Sequence, residues 1–154
     1  MPSAARKTRI GMIVPSSNTC LEPQSYRILG DRDDVTIHFT RIPVTRIALD
    51  DSSDKQFDPA VMRTAAELLA TADVDVIAWN GTSGSWLGAD HDRELDGEIT
   101  DATGLPATTS TLAYLEAFDS FGTELLGLFT PYTATVNRTV MASYQRAGIQ
   151  QNVP

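Results

Sequence analysis

The segment Gly81-Thr-Ser-Gly-Ser85 sets three hydroxyls and two glycines directly behind the apolar run from Val74 to Trp79. Its backbone N–H groups and the hydroxyls of Thr82 and Ser83 are uncharged donors. Such donors suit an anion, or an oxygen that becomes one during a reaction. A loop of this kind after a strand lies where open α/β sheets bind ligands. Three further segments carry similar groups: Pro15-Ser-Ser-Asn-Thr19, Ala107-Thr-Thr-Ser-Thr111 and Thr130-Pro-Tyr-Thr-Ala-Thr-Val-Asn137. In a parallel sheet all four share one edge and converge on a ligand. The expectation is a single pocket of neutral donors, Asn18, Thr82 and Tyr132 among them, for carboxylate or enolate chemistry.

Each segment also has a plainer reading. Ser17 or Asn18 suits the cap of a helix. Gly81–Ser85 is open to reading as an ordinary turn; it lacks the lysine of a P-loop, and no GxGxxG spacing occurs. Thr108 to Thr111 fits capping better than catalysis, and Tyr132 at a helix start suits packing as well as chemistry. His38, on the polar face of a strand, and His91, in an acidic helix start, read as solvent-facing or locally bonded. Cys20, in the first turn of a helix without a partner base, reads as a small buried residue. Trp79 and Trp86 flank the donor loop and read as packing residues.

Those loops need strands and helices to hold them. Arg9 to Val14 predicts a buried strand ended by Pro15, and Ser16-Ser-Asn-Thr19 supplies capping residues for a helix over Leu21 to Leu29. Val35 to Arg41 alternates, with Val35, Ile37 and Phe39 on one face, which predicts a second strand. Pro43 to Asp58 is polar and long for a strand-to-helix connection, as in functional lids or disorder. Asp58-Pro59 opens a helix through Ala72, with Val61, Ala65, Leu68 and Leu69 on one face. Val74 to Trp79 is the near-continuous apolar run of a covered parallel strand. A helix over Asp90 to Thr103 is closed by Gly104, followed by a short strand at Leu105 to Thr108 and a helix from Thr111 to Phe121. Glu124 to Phe129 predicts a fifth strand. Tyr132 to Ala147 predicts a fifth helix, with Val136, Val140 and Tyr144 at i, i+4 spacing. The alternation implies an α/β fold, a Rossmann-like, mainly parallel sheet with helices on both faces. The tail from Gly148 stops where another strand should start.

At 154 residues the chain has the length of one ordinary domain, and 42% apolar content describes a soluble globular protein. No apolar run approaches the roughly 20 residues that span a bilayer, so no membrane partner is expected. The basic start, Met1 to Arg9, precedes only Ile10 to Val14, too short for a signal-peptide core, and a bacterial-type cytoplasmic protein is expected. A net charge of -8 argues against a nucleic-acid partner, which requires clustered lysine and arginine. The acids concentrate at 31–34, 50–58 and 90–101, read as solvated loops and helix faces. One cysteine excludes an internal disulfide, and with only two histidines no metal site is expected.

Taken together, the motifs resemble the aspartate/glutamate racemase superfamily, in its arylmalonate decarboxylase and maleate cis-trans isomerase branch. Ile10-Gly-Met-Ile-Val-Pro-Ser-Ser-Asn-Thr19 is similar to the isomerases, and Asp75-Val-Ile-Ala-Trp-Asn-Gly-Thr-Ser83 to the decarboxylase. Gly104-Leu-Pro-Ala-Thr-Thr-Ser110 and the Thr130–Asn137 segment resemble both. The resemblance covers nearly the whole chain. It implies a cofactor-free protein of two similar α/β lobes around a central site. Residues 1–121 would form the first lobe, and residues 122–154 the first βα unit of an otherwise missing second lobe. The racemases and isomerases use two cysteines, one from each lobe. The first-lobe position corresponds here to Gly81, as in the decarboxylase, and Cys20 occupies neither. Carried over, Thr82, Ser83 and Tyr132 donate to a carboxylate that becomes an enediolate, and Asn18 binds a substrate carboxylate. Ser17, Gly81, Gly84 and Asn137 complete the implied binding surface.

The implied function is decarboxylation or cis-trans isomerisation of a small dicarboxylate. Both build negative charge on oxygen, and fixed donors are worth roughly 3 to 4 kcal/mol each in comparable sites. The resemblance assigns protonation of the enediolate carbon to the second lobe's cysteine. Little or no turnover is therefore expected of these 154 residues. The alternative is a non-catalytic carboxylate-binding or regulatory pseudoenzyme. A nucleotide-binding flavodoxin-like domain fits poorly, since no phosphate loop is present. Apolar surface facing a missing lobe predicts a homo-oligomer.

Overall fold

The structure, a computed structural model, describes residues 6–45 and 55–152. Four strands form a parallel sheet of order β2-β1-β3-β4: β1 Thr8–Pro15, β2 Val35–Ile42, β3 Val76–Trp79 and β4 Ala107–Thr109. β1 pairs with β2 from Thr8 beside Val35 to Pro15 beside Ile42, and with β3 from Ile10 beside Val76 to Ile13 beside Trp79. β3 pairs with β4 from Ile77 beside Ala107 to Trp79 beside Thr109. Ile13, Val14, Ile77 and Trp79 on the two inner strands are fully buried, as strands covered on both faces require. The edge strand β2 is mostly half-buried, in keeping with its alternating sequence.

Among the described residues six α-helices follow in chain order: α1 Leu21–Leu29, α2 Pro59–Ala70, α3 Gly84–Leu87, α4 Ala89–Thr103, α5 Ser110–Ser120 and α6 Ala134–Arg146. Asp58 caps α2 by accepting the Ala60 N–H at 2.8 Å, and Pro59 fills the first turn, where its missing donor costs nothing. α2 buries Met62, Ala65, Ala66 and Leu69 and packs against β1 and β2. Leu68, expected on that face, is exposed; the helix is rotated so that Met62 and Ala66 are buried instead. α4 buries Leu95 and Ile99 and stops at Gly104, whose φ of +70° is a conformation that side chains disfavour. Thr109 caps α5 by accepting the Leu112 N–H at 3.2 Å.

The expected α/β class, parallel sheet and element order are all present. The departures are local. The segment read as a loop through Ser85 closes into the single helical turn α3 from Gly84. The fifth strand, expected over Glu124 to Phe129, is β5 at Leu125–Gly127 only. The tail read as stopping ahead of a strand forms that strand, β6 at Gln150–Asn152, parallel to β5 in a separate two-stranded sheet. α6 connects the two and buries Val136, Val140 and Tyr144, the spacing read from the sequence. Phe121, Leu125 and Phe129 around this smaller sheet are exposed. Of the polar segment between Pro43 and Asp58, residues 46–54 lie outside the described residues, and Phe57 at its end is buried.

Cys20, expected to be buried, is exposed. It occupies the position just before α1, outside the face that the helix turns inward. His38 is locally bonded, its Nε2 lying 3.1 Å from Thr36 Oγ1. His91 Nδ1 lies 3.4 Å from Asp92 Oδ1. Among the described residues, no helix is long and apolar enough to cross a membrane.

Candidate functional site

A cavity of about 340 Å³ opens where β1, β3 and β4 end. β1 delivers Ser17 and Asn18, β3 runs into Asn80, Gly81, Thr82 and Ser83, and β4 leads to Ser110. Tyr132 enters from the segment ahead of α6, and Phe57, Trp79, Trp86 and Tyr114 supply aromatic walls. Among the described residues that line it, none is charged. Six of the eight residues singled out in the sequence thus share one cavity: Ser17, Asn18, Gly81, Thr82, Ser83 and Tyr132.

Asn18 reconciles its two readings. Its Oδ1 accepts the Cys20 N–H at 2.8 Å and the Leu21 N–H at 3.0 Å, which starts α1. The amide oxygen is thereby committed to the helix. The end left over is Nδ2, a donor only.

Thr82 Oγ1 and Tyr132 OH share a hydrogen bond of 2.5 Å, tying the loop after β3 to the segment after β5. Thr130 Oγ1 accepts the Tyr132 N–H at 3.2 Å and donates its own proton to Asn137 Oδ1 at 2.5 Å. Asn137 therefore fastens the turn that carries Tyr132, and it does not line the cavity. On the far side of the Thr82–Tyr132 pair lies a second cavity of about 360 Å³, largely apolar, reaching to Phe118, Leu126 and Tyr144. Ser85 Oγ and Tyr144 OH meet at 3.2 Å in its wall. Burial pushes the Tyr144 phenol above its ordinary pKa, against the opposing pull of the Ser85 hydrogen bond.

Ser83 is buried, and its Oγ accepts the indole N–H of Trp79 at 3.1 Å. The same indole lies over Gly81. A Cβ there would fall 2.2 Å from Trp79 Cζ2, so position 81 tolerates no side chain while Trp79 holds its place. Gly84 answers a different neighbour. A Cβ on it would come within 2.1 Å of Asp92 Oδ2. Asp92 is fully buried and accepts the Thr109 hydroxyl at 2.5 Å. Gly84 thus allows α3 to approach α4, and it too lies outside the cavity.

Asn80 and Tyr114 were not singled out in the sequence, and Ser110 lies in the Ala107–Thr111 donor segment read as fitting capping better than catalysis. Ser110 Oγ donates to Asn80 Oδ1 at 3.2 Å beneath the donor loop. The reading of Thr108 to Thr111 as capping fits Thr109, while the next residue faces the cavity. Position after a strand was the available signal for Asn80 and Ser110; Tyr114, one helical turn further on, carried none. Trp86 lines the cavity as well, and its indole N–H has no partner among the described residues. No group of three histidine, cysteine or carboxylate side chains among the described residues is placed to hold a metal ion.

A parallel sheet whose strand ends open on an uncharged, hydroxyl-lined cavity defines a class of α/β proteins, and the sequence assigns the chain within it. The chain belongs to the arylmalonate decarboxylase family, whose family model matches residues 10–153. The resemblance read from the four motifs agrees with that match. Among solved structures, the maleate isomerase from Pseudomonas putida S16 superposes with a TM-score of 0.81 at 21% identity, over 96% of this chain and 62% of its own. A variant of that isomerase solved with maleate gives 0.81 at 22%, with the same coverage. Unliganded arylmalonate decarboxylase gives 0.75 at 23% identity, over 94% of this chain and 61% of its own. These likenesses establish the fold, and the chain spans about three fifths of the length of each relative. No protein of curated function shows a significant sequence match.

Proposed function

We propose that the cavity holds a small dicarboxylate, arylmalonate-like or maleate-like, and stabilises it as an enediolate. Thr82, Ser83 and Tyr132 supply the donors to the oxygens that gain charge; Thr82 and Tyr132 act as a pair, one holding the other by its proton while the second turns its own to the ligand. Asn18 Nδ2 takes the second carboxylate, with Ser17 and the Gly81 backbone beside it. The observation that carries this reading is the convergence of uncharged donors from separate strand ends on one cavity. Family membership and the maleate of the solved isomerase variant support the ligand class.

Fixed neutral donors stabilise charge as it develops, because they are already oriented and need no reorganisation during the reaction. Losing carbon dioxide from a malonate leaves the bonding pair on the remaining acid as an enediolate, whose carbon must then take a proton. Among the described residues no thiol lines the cavity: Cys20 is exposed at the start of α1. These residues therefore hold the charged intermediate without supplying the carbon's proton, and little or no turnover is the expected behaviour of this chain. We read residues 1–121 as one lobe and residues 122–154 as the first βα unit of a second, which accords with the two separate sheets. The donor for carbon would come from that second lobe. A homo-oligomer in the cytoplasm, needing no cofactor, completes the proposal.

One observation favours a second reading, a non-catalytic carboxylate-binding or regulatory protein. Among the described residues no thiol and no charged side chain lines the cavity, so the lining can hold a carboxylate while offering no thiol to protonate carbon. The two readings separate on one experiment. Maleate and phenylmalonate are titrated while the fluorescence of Trp79 and Trp86 is followed, and turnover is assayed in parallel. Saturable binding without turnover is expected, weakened about tenfold or more by Thr82→Val or Tyr132→Phe, the worth of a hydrogen bond to a charged group. Undiminished binding in both variants sinks the assigned roles. No binding of either acid by the wild-type chain sinks both readings, and fast turnover overturns the inactivity.

A further inference from the structure

We propose that Trp79 is a positioning residue for the donor loop, dictating which way the Ser83 hydroxyl offers its proton. This rests on the reading of the cavity as a site for acidic oxygens. An indole N–H only donates. The 3.1 Å bond from Trp79 Nε1 must therefore use an acceptor site on Ser83 Oγ. A hydroxyl has one proton, and no described residue accepts that of Ser83. With one lone pair engaged by the indole, the proton is left for whatever occupies the cavity that both residues line. The hydroxyl keeps one further lone pair, but the group that makes use of its free proton is an acceptor, as an ionised carboxylate or an enediolate is.

The indole is itself well held. Trp79 is fully buried, pairs with Ile13 on β1 and Thr109 on β4, and packs its ring 6.2 Å from that of Phe57. Ser83 is 1% exposed, so water does not compete for the bond. In such surroundings a hydrogen bond is stronger and its direction better kept than in solvent. One side chain thus accounts for two properties of the loop: residue 81 must be bare, and the Ser83 proton is left free to be donated. Trp86 shows the contrast. Its N–H has no partner among the described residues, and its ring packs against Phe57 at 6.1 Å and Tyr132 at 5.5 Å.

The test uses the full chain labelled with 15N at its two indoles. Trp79→Phe identifies which indole resonance belongs to Trp79. Ser83→Ala leaves Trp79 in place, so it reports even if the first variant folds poorly. In Ser83→Ala the Trp79 indole proton is expected to move upfield and exchange faster with solvent, while that of Trp86 holds its position. An unmoved Trp79 signal overturns the proposal whatever the cavity binds. The second arm titrates maleate by calorimetry. Trp79→Phe and Ser83→Ala are each expected to weaken binding about tenfold, with the double variant no weaker than Ser83→Ala alone. Losses that multiply to about a hundredfold show the two acting independently and overturn the positioning role. If the wild-type chain does not bind maleate, the acidic-oxygen reading fails, and the indole arm still decides whether Trp79 orients Ser83.

Discussion

β3 and β5 are both short, apolar, parallel strands that lead into a hydroxyl-bearing segment, yet they live in different surroundings. β3 has β1 on one edge and β4 on the other, and Ile77 and Trp79 are fully buried. Among the described residues β5 pairs with β6 alone; Leu125 is 57% exposed, and Phe129 just beyond it is wholly so. Their sequences do not explain this, since Leu125-Leu-Gly-Leu-Phe129 is as apolar as Val76-Ile-Ala-Trp79. Neighbours do. An apolar run sets where a strand forms, and cover on both faces decides how firmly it is held. The donor loop after β3 inherits a rigid base. The Tyr132 segment after β5 is steadied by the Thr82–Tyr132 bond and by the Thr130–Asn137 clasp.

The difference between the two strands can be broken at either end. Ile77→Ala, which empties a fully buried site between two strands, is expected to cost about 2–5 kcal/mol in urea unfolding. An effect no larger than that of a surface change would show that β3 is not the firmer element. Gly81→Cys, which drives a side chain into the Trp79 ring, should destabilise by about 1–3 kcal/mol. Adding Trp79→Leu should return part of that loss, and failure to do so would locate the clash elsewhere.

Asp96 gives a smaller effect, on the helix that covers the main sheet. Its Oδ1 is buried without a partner among the described residues, and burial raises its pKa. The folded state then holds this proton more tightly than the unfolded one. The stabilising contribution is complete below the ordinary aspartate pKa and is lost as pH rises to the raised value. Asp96→Asn should therefore gain on the wild type across that window, measured as melting temperature against pH; parallel curves would refute it. Leu125→Lys, on the open strand, should leave stability within about 0.5 kcal/mol. If the exposed apolar surface mediates association, the same change lowers the mass seen by light scattering.

The main sheet was legible because its signals are local. Asp58-Pro59 at a helix start, Gly104 at a helix end and the alternation along β2 each report backbone conformation within a few residues. β6 was not, because Gln150-Gln-Asn152 is polar and pairs only through the neighbouring β5. The cavity was legible as a set of strand ends, which topology brings to one edge. Individual roles depended on contacts distant in sequence. Gly84 is shaped by Asp92 eight residues on, Asn137 by Thr130 seven residues back, and Asn80 by Ser110 across β4. The rotation of α2 that exposes Leu68 and the outward placement of Cys20 also follow from packing, which periodicity alone leaves open.

Asn18 grips the start of α1 with its oxygen and has only its nitrogen to offer a guest. Occupancy of the cavity and fraying of that helix are consequently two ends of one lever. A guest that engages Nδ2 should slow deuterium uptake at the Cys20 and Leu21 amides, which it never touches. Loosening the helix should, by the same reciprocity, shorten the guest's stay.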